Sequence, residues 1–208
     1  MLASVARADA WQAQAVYAGA LDLPYCALVS ASSELFCNGM NEYAVNFTGQ
    51  TASQATIGDG FGCFLRSDHS VTCMGTNVDG ELGVESNVSY STDLSLRLLF
   101  PAGLVVQSVS AGANFACALF TAGSVRCWGL ALNGALGQGN TTNIGRAAGS
   151  MTSLPAIQLG SGRTAAELFA GPGHACAILD DQLRLRLSGG KADAPNFAKV
   201  AQVLGPQQ

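Results

Sequence analysis

The stretch that decides the fold is CALFTAGSVRCWGLALNGALG at 117–137, because the chain contains a second version of it, CFLRSDHSVTCMGTNVDGELG, at 63–83. The two register without a gap, with two cysteines, three glycines and a leucine in the same columns. Fainter copies begin with YCALV at 25–29 and with HACAIL at 174–179. The leading cysteines are therefore 37, 54 and 59 residues apart. Such steps exceed those of helical repeats and suit one small sheet per repeat.

Composition agrees with a globular all-β protein. Of the 208 residues, 49% are hydrophobic and 12% are charged, and 25 are glycine, which favours short strands and tight turns over long helices. We expect a single repeat domain over 1–208. Its four repeats would lie at approximately 17–50, 55–100, 105–160 and 165–200.

Charge and hydropathy argue against a nucleic-acid partner and against a membrane-spanning segment. The net charge is −4, and the ten basic residues are scattered, so no basic stripe is present to neutralise a nucleic-acid backbone. The most apolar stretch, 94–106, is interrupted by Arg97 and Pro101 and is too short to span a bilayer. We expect no nucleic-acid partner and no transmembrane segment. The first 20 residues lack the basic start of a signal peptide, so a secreted protein would need a longer precursor.

Each copy is interpreted as a β-hairpin. In the third copy an apolar strand at 117–120 is followed by a three-residue loop at 121–123 and a second strand. Gly123 ends that loop, where a left-handed conformation is common in hairpins. This register places Cys117 directly opposite Cys127. The second copy has the same loop length at 67–69, with a less suitable histidine at the left-handed position.

The cysteine spacing predicts bridges within the hairpins. Opposed residues at a non-hydrogen-bonded antiparallel site have Cα atoms about 4.5 Å apart, which is within disulfide range. In the first copy a two-residue loop at 31–32 would bring its cysteines opposite each other. We predict three disulfides: Cys26 with Cys37, Cys63 with Cys73, and Cys117 with Cys127. The alternative is that these residues are reduced thiols buried in a cytosolic protein.

Catalytic and metal chemistry find little support. The chain has no CxxC motif, and its two histidines, His69 and His174, are far apart in sequence, so we expect no metal site and no cofactor. Cys176 lies near His174, but positions 186 and 187, where a partner would fall, hold arginine and leucine. His174 shares a column with two phenylalanines, so we interpret it as a packing residue. We predict no catalytic residues and no enzymatic activity.

Three glycosylation sequons follow the hairpins, in connectors rich in Ser, Thr, Asn and Gly. Such connectors are expected to be exposed loops. The candidate acceptors are Asn46, Asn87 and Asn140.

The pattern A-G-x-x-x-x-C-A-L … C-W-G-x-x-x-x-G-x-L-G, seen best at 111–137, resembles the repeat of the regulator of chromosome condensation family. It is similar also to the β-lactamase-inhibitor propeller of bacteria and to the ectodomains of crinkly-type plant receptor kinases. The resemblance covers Tyr17 to Leu187. It implies an all-β fold, a partial β-propeller of about four blades of four-stranded antiparallel sheets. Since family propellers have about seven blades, four blades would form an open arc or a fragment.

The resemblance implies structural roles for the repeated residues. One set of glycines would enter the hairpin where blades crowd, others would end the second strand or turn the chain, and the tryptophan would lie between blades. These residues are Gly58, Gly112, Gly171, Gly129, Gly134, Gly137 and Trp128. Trp128 has no counterpart in the other copies, and the fourth copy has lost its second cysteine and its G-x-L-G tail.

The function expected from these features is binding without catalysis. The paired cysteines are similar to those of the crinkly-type ectodomains and favour a secreted or cell-surface module with a protein ligand. The alternative is an intracellular guanine-nucleotide exchange factor or a chromatin-associated regulator of the same family, which would also need no catalytic motif.

Overall fold

A computed structural model describes residues 52–93, 95–181 and 187 in full, and the backbone alone at 13–18, 25–29, 35–38, 45–46 and 184–186. The described residues form fourteen β-strands and one turn of 3-10 helix at Leu132–Gly134. The strands are β1 (Ala13–Ala18), β2 (Tyr25–Val29), β3 (Leu35–Asn38), β4 (Val45–Asn46), β5 (Ala52–Ile57), β6 (Phe61–Arg66), β7 (Val71–Thr76), β8 (Tyr90–Ser91), β9 (Val106–Ala111), β10 (Phe115–Phe120), β11 (Val125–Gly129), β12 (Ala165–Gly171), β13 (His174–Leu179) and β14 (Arg184–Arg186).

These strands form four antiparallel sheets in chain order, one for each copy of the repeat. The first two sheets have the orders β1-β2-β3-β4 and β5-β6-β7-β8. In the other two, three described strands pair, in the orders β9-β10-β11 and β12-β13-β14. Each sheet is a meander because strands that follow one another in the chain are neighbours in the sheet.

The third sheet departs from the expected four strands. Its outer edge is completed by a single bridge, in which Gly129 and Ile144 exchange backbone hydrogen bonds of 2.7 and 3.2 Å. The chain between them makes the 3-10 turn and returns to the edge only at Ile144. The fourth strand of this sheet is therefore reduced to one residue.

The sheets are stacked face to face, and the hydrophobic core lies in the layers between them. One buried cluster fills the layer between the second and third sheets, and another fills the layer between the third and fourth. Strand β10 is buried along its whole length, whereas β13 alternates between buried and half-buried residues. The second, third and fourth sheets are thus consecutive blades of a partial β-propeller, and they are numbered below as blades with the first sheet as blade one.

Candidate functional site

The hairpin cysteines of blades two and three form the predicted disulfide bonds. Cys63 pairs with Cys73 and Cys117 pairs with Cys127 in the strand register, with Cα atoms 4.1 and 4.0 Å apart. Two of the three predicted bridges are therefore confirmed. The geometry follows from the antiparallel register, because each pair occupies directly opposed positions.

The third bridge stays a prediction. The backbone register of blade one sets Cys26 opposite Cys37, as the sequence indicates. The side chains of these two cysteines and the loop at 31–32 lie outside the described residues.

The two hairpin loops have the same backbone conformation but different residues at the left-handed position. Gly123 has a φ of 77°, and the loop is closed by a 3.0 Å hydrogen bond from the Phe120 amide to the Ser124 carbonyl. His69 takes the equivalent place with a φ of 64°, which costs a non-glycine residue about 1–2 kcal/mol. Its side chain offsets part of that cost, because Nδ1 donates to the Val106 carbonyl over 2.9 Å.

Both disulfides face the next blade along the chain. In each layer the bridge packs in one cluster with two alanines from the central strand of the following blade. For Cys63–Cys73 these are Ala116 and Ala118, and for Cys117–Cys127 they are Ala175 and Ala177. Small residues are needed there because the bridge already fills the layer.

A glycine and a ring form a second repeated unit at the inner ends of blades two, three and four. A Cβ at Gly112 would overlap the ring of Phe115, and one at Gly58 would overlap the ring of Phe61. A Cβ at Gly58 would also meet the Gly112 carbonyl of the next blade at 2.7 Å. In blade four, Gly171 faces His174, whose Cε1 would lie 3.0 Å from an added Cβ.

Backbone hydrogen bonds join these inner turns from blade to blade. The amide of Asp59 donates to the Ala113 carbonyl over 2.7 Å, and the amide of Ala113 donates to the Pro172 carbonyl over 3.0 Å. The inner ends of blades two, three and four are therefore linked in series.

A hydroxyl on the innermost strand makes a third inter-blade contact. Thr56 Oγ1 accepts a 2.7 Å hydrogen bond from the Ala111 amide, and Ser110 Oγ accepts a 2.9 Å bond from the Ala170 amide. Both hydroxyls lie opposite the leading cysteine of their blade. The sequence analysis did not single out these hydroxyls, although the leading cysteines of blades two and three each have a Thr or Ser seven residues earlier. In blade four this position holds Phe169, which is 51% exposed.

A profile of the regulator of chromosome condensation (RCC1) repeat matches residues 106–138, which span the whole hairpin of blade three. The chain carries an RCC1-type repeat. Among proteins with curated descriptions, none matches the chain by sequence.

Solved structures extend the likeness from this one RCC1-type repeat to the fold of the chain. Human WBSCR16 superposes with a TM-score of 0.64 at 16% identity, over 86% of this chain and 48% of that one. Yeast RCC1 (Prp20), in its complex with Kap60, gives 0.60 at 19% identity, over 85% and 44%. The CRINKLY WD40 ectodomain of the Arabidopsis thaliana receptor kinase ACR4 gives 0.57 at 22% identity, over 86% and 54%. The chain spans about half the length of these structures.

The tryptophan of the RCC1-type repeat lies in the layer between blades two and three. Trp128 is fully buried, and its Nε1 donates to the Glu81 carbonyl over 2.9 Å. Its ring packs edge to face against the ring of Phe100, with the ring centroids 5.6 Å apart. In blade two the same column holds Met74, which is also fully buried. Trp128 therefore ties the tail of one repeat to the hairpin of the next.

The glycines after the hairpin turn the chain. Gly129, Gly134 and Gly137 have φ values of 104°, 73° and 68°. A Cβ at Gly137 would lie 2.6 Å from the Leu187 carbonyl, so this turn also touches blade four.

Arg146 fastens the connectors of two successive blades to each other. Its guanidinium donates to the carbonyls of Val78 and Asn87, both in the connector of blade two. Beside it, the side-chain amide of Asn143 donates to Asp79 over 2.9 Å. These hydrogen bonds fix the positions of the outer connectors above the repeated β-sheets. Loops positioned by a rigid scaffold in this way commonly carry the binding residues of a protein.

Glu81 is a carboxyl group buried under these connectors. The residue is 0% exposed; Oε2 accepts a 2.8 Å hydrogen bond from the Asp79 amide, and Oε1 accepts none from the described chain. Burial raises the pKa of Glu81, although nearby backbone amides oppose the shift. The corresponding residue in the third repeat is Ala135, so the carboxyl group is not required by the fold.

Two of the three sequon asparagines, Asn87 and Asn140, lie exposed in the outer connectors. The side chain of Asn46 is outside the described residues. Asn140 Oδ1 accepts a 2.9 Å hydrogen bond from the Thr142 amide, which holds this sequon in a turn.

The fourth hairpin differs from the others as its sequence indicates. Cys176 lies opposite Arg186 in the strand register. His174 occupies the ring position beside Gly171 rather than a position opposite Cys176. Within the described ranges, no three His, Cys, Asp or Glu side chains are grouped so that they could hold a metal ion. No helix in the described part of the chain is long and apolar enough to cross a membrane.

Proposed function

We propose that this chain is part of a β-propeller that binds another protein and that works outside the cell or at its surface. The observation that carries the proposal is the pair of buried disulfides at equivalent positions in successive blades. Disulfides persist in oxidising compartments and are rare in the cytosol and nucleus. The connectors support the binding role, because they differ between blades while the frame beneath them repeats.

Glycosylation at Asn87 and Asn140 belongs to the same proposal. Both side chains are exposed on the outer connectors, where an attached glycan meets no packed core. Treatment of the secreted protein with an N-glycosidase should increase its electrophoretic mobility. An Asn87→Gln/Asn140→Gln variant should show a smaller shift, with any remaining shift attributable to Asn46.

The compartment is tested by intact mass. Protein secreted from eukaryotic cells should gain two hydrogens for each bridge on reduction, and peptide mapping should recover Cys63 with Cys73 and Cys117 with Cys127. The same protein purified from cytosol under conditions that trap thiols is the comparison. Full trapping of all seven cysteines in protein from its native compartment would contradict the extracellular proposal.

The second candidate is an intracellular exchange factor or chromatin-associated regulator. The fold shared with yeast RCC1 (Prp20), solved with Kap60, is the observation that favours it. Nucleotide release from a panel of small GTPases would test it. Acceleration by the reduced protein, together with nuclear residence, would replace the first proposal.

A further inference from the structure

A groove of about 400 Å³ opens between the hairpin turn of blade two and the connector that follows this blade. Its walls are the turn at 68–71 and the connector segment at 98–106. The connector side is apolar, and two of its side chains are unusually open to solvent: Leu99 is 60% exposed and Val105 is 42% exposed. The volume falls in the range of ordinary ligand sites.

The next repeat shows that the fold does not require this apolar surface. Residues 99–105 read LFPAGLV, and the equivalent residues 158–164 read QLGSGRT. The two segments start from the same hydrogen bond, made by Leu98 to Val71 over 2.9 Å and by its counterpart in the next repeat over 2.8 Å. They also turn at equivalent glycines, with φ values of 80° and 71°. Because the same backbone is built from polar residues there, the exposed apolar side chains at 99–105 need another explanation.

An ion pair lies at the margin of the groove, between Asp68 of the lining and Arg97, the residue before Leu98 of the lining. Arg97 bonds Asp68 through Nη1 over 2.6 Å, its side chain is 51% exposed, and Nη2 makes no hydrogen bond within the described chain. Arg66 lies close enough to interact electrostatically with both groups. Hydrogen bonds from Ser70, and the contact with Arg97, hold the pKa of Asp68 well below its usual range, so this carboxylate stays charged. Two arginines against one aspartate leave a local excess of positive charge on a chain whose net charge is −4.

His69 adds a hydrogen-bond acceptor beside the groove. Its Nδ1 lies 2.9 Å from the Val106 carbonyl, which can only accept, so Nδ1 carries the proton of the neutral ring. Nε2 then keeps its lone pair and can accept from an N–H group. A peptide backbone offers such donors along its whole length, whereas lipid acyl chains offer none.

We propose that this groove binds an extended segment of a partner protein in which an acidic residue stands next to an apolar one. The apolar side chain lies between Leu99 and Val105, the carboxylate pairs with Arg97, and a backbone amide donates to His69. The inference rests on the proposed binding function and names the surface and the partner chemistry. Apolar contact supplies most of the affinity in such a site, and the charged contact selects the partner.

The test is selection from a phage-displayed library of random dodecapeptides against the oxidised full chain. Enriched sequences should carry Asp or Glu beside Leu, Ile or Phe. A synthetic copy of the most enriched peptide should bind at least about tenfold more weakly to Leu99→Gln/Val105→Thr and to Arg97→Ala. These substitutions install residues that the next repeat already holds at the same places, so the fold should survive. Binding should also weaken as salt is added, since the charged contact is exposed.

Two controls match these variants. Val78→Thr alters an equally exposed apolar residue on a different connector, and Arg163→Ala removes an exposed arginine paired with Asp181. Both should bind the peptide as the wild type does, and all variants should unfold at the same temperature.

Several results would overturn the inference. In the selection, these are the enrichment of no sequence, or enrichment of sequences without acidic residues. In the binding assay, it is equal affinity of the peptide for the wild type and for the groove variants. A different occupant would be shown by binding to phosphatidylserine vesicles, or by self-association, that Leu99→Gln/Val105→Thr abolishes. Peptides that bind both forms equally would leave the proposed binding function standing and move it to another surface. Failure of that function would instead be seen as reduced cysteines in native protein, which the selection does not measure.

Discussion

Glycines with a left-handed backbone in this chain differ in how closely other atoms approach them. Gly129 has a φ of 104°, and an added Cβ would meet the Asn114 carbonyl at 2.6 Å and the Phe115 Cα at 2.7 Å. Gly103 has a φ of 80°, yet nothing lies within 4 Å of its added Cβ. The two positions separate the cost of a left-handed backbone from the cost of a clash.

We predict that Gly129→Ala lowers the free energy of unfolding by about 3 kcal/mol, the sum of backbone strain and overpacking. Gly103→Ala should lower it by about 1 kcal/mol, since only the strain remains. Denaturant unfolding of both variants measures the difference. Equal losses would show that the close approach at Gly129 relaxes freely.

The buried carboxyl group of Glu81 makes stability depend on pH. Burial raises its pKa, so the folded state keeps the proton to a higher pH than the unfolded state does. Between the ordinary value of 4.5 and the raised value, the folded state binds more protons, and stability falls as pH rises through that window.

We predict that Glu81→Gln, which cannot ionise, gains stability relative to the wild type as pH rises above 4.5, the ordinary pKa of a glutamate. Unfolding by denaturant at several pH values measures the two curves. Glu167→Gln, at an exposed position on β12, is the matched control and should follow the wild type. A difference in the free energy of unfolding between Glu81→Gln and the wild type that stays constant with pH would contradict the prediction.

At the scale of the element, the disulfide hairpin is both a local and an inter-blade structure. Each bridge closes a loop within one hairpin, with a sequence separation of 10 residues. Each also presents its sulfur atoms to the alanines of the following blade. Removing a bridge therefore increases the conformational entropy of the unfolded chain and leaves a cavity in the layer between blades.

We predict that Cys117→Ala/Cys127→Ala lowers the free energy of unfolding by about 2–3 kcal/mol, or more where the layer fails to collapse. The Cys63–Cys73 bridge remains, so a reductant should destabilise this variant further, by a smaller step than it does the wild type. Denaturant unfolding with and without reductant gives both values. A wild type whose stability is indifferent to reductant would refute the prediction.

At the scale of the whole molecule, the same two kinds of hydrogen bond join blade two to blade three and blade three to blade four. Hydroxyls of blades two and three each accept a hydrogen bond from an amide of the following blade, whereas the inner-turn amides of these two blades donate to carbonyls of the following blade. Blade four presents Phe169 where the hydroxyl would be, and the half-buried residues of β13 share that face. An exposed aromatic group on an open sheet face favours association.

We predict that the 208-residue chain associates in a concentration-dependent way and that Phe169→Ser reduces the association. Sedimentation velocity over a range of concentrations measures it. Val78→Ser, which removes an apolar residue of similar exposure from an outer connector, is the control and should associate as the wild type does. Unchanged association of Phe169→Ser would place the contact elsewhere.

Much of the fold could be predicted from the sequence because its decisive contacts are short-range. The loop at 121–123 sets the register of its hairpin, and that register alone brings Cys117 opposite Cys127. The reduction of the fourth strand in blade three to Ile144 was not predictable in the same way. It depends on where a long connector returns to the sheet edge, which no local pattern specifies.

The candidate site was predictable only as a location, the outer connectors. The groove is formed by two segments, 68–71 and 98–106, whose sequences give no sign that they meet, and the ion pair between Arg97 and Asp68 at its margin also joins these distant parts of the chain. The burial of the Glu81 carboxyl group was likewise not predictable from sequence, since it comes from connectors that close over it.

The sequence by itself determined the repeat, the hairpins and the cysteine register, because each depends on residues within about one hairpin of each other. Only the tertiary structure decided which faces of the blades meet, which hydroxyl reaches which amide, and which connector residues stay exposed around a groove. Those contacts depend on the angle and distance between successive blades. That geometry is set by the packing of whole layers rather than by any single stretch of chain.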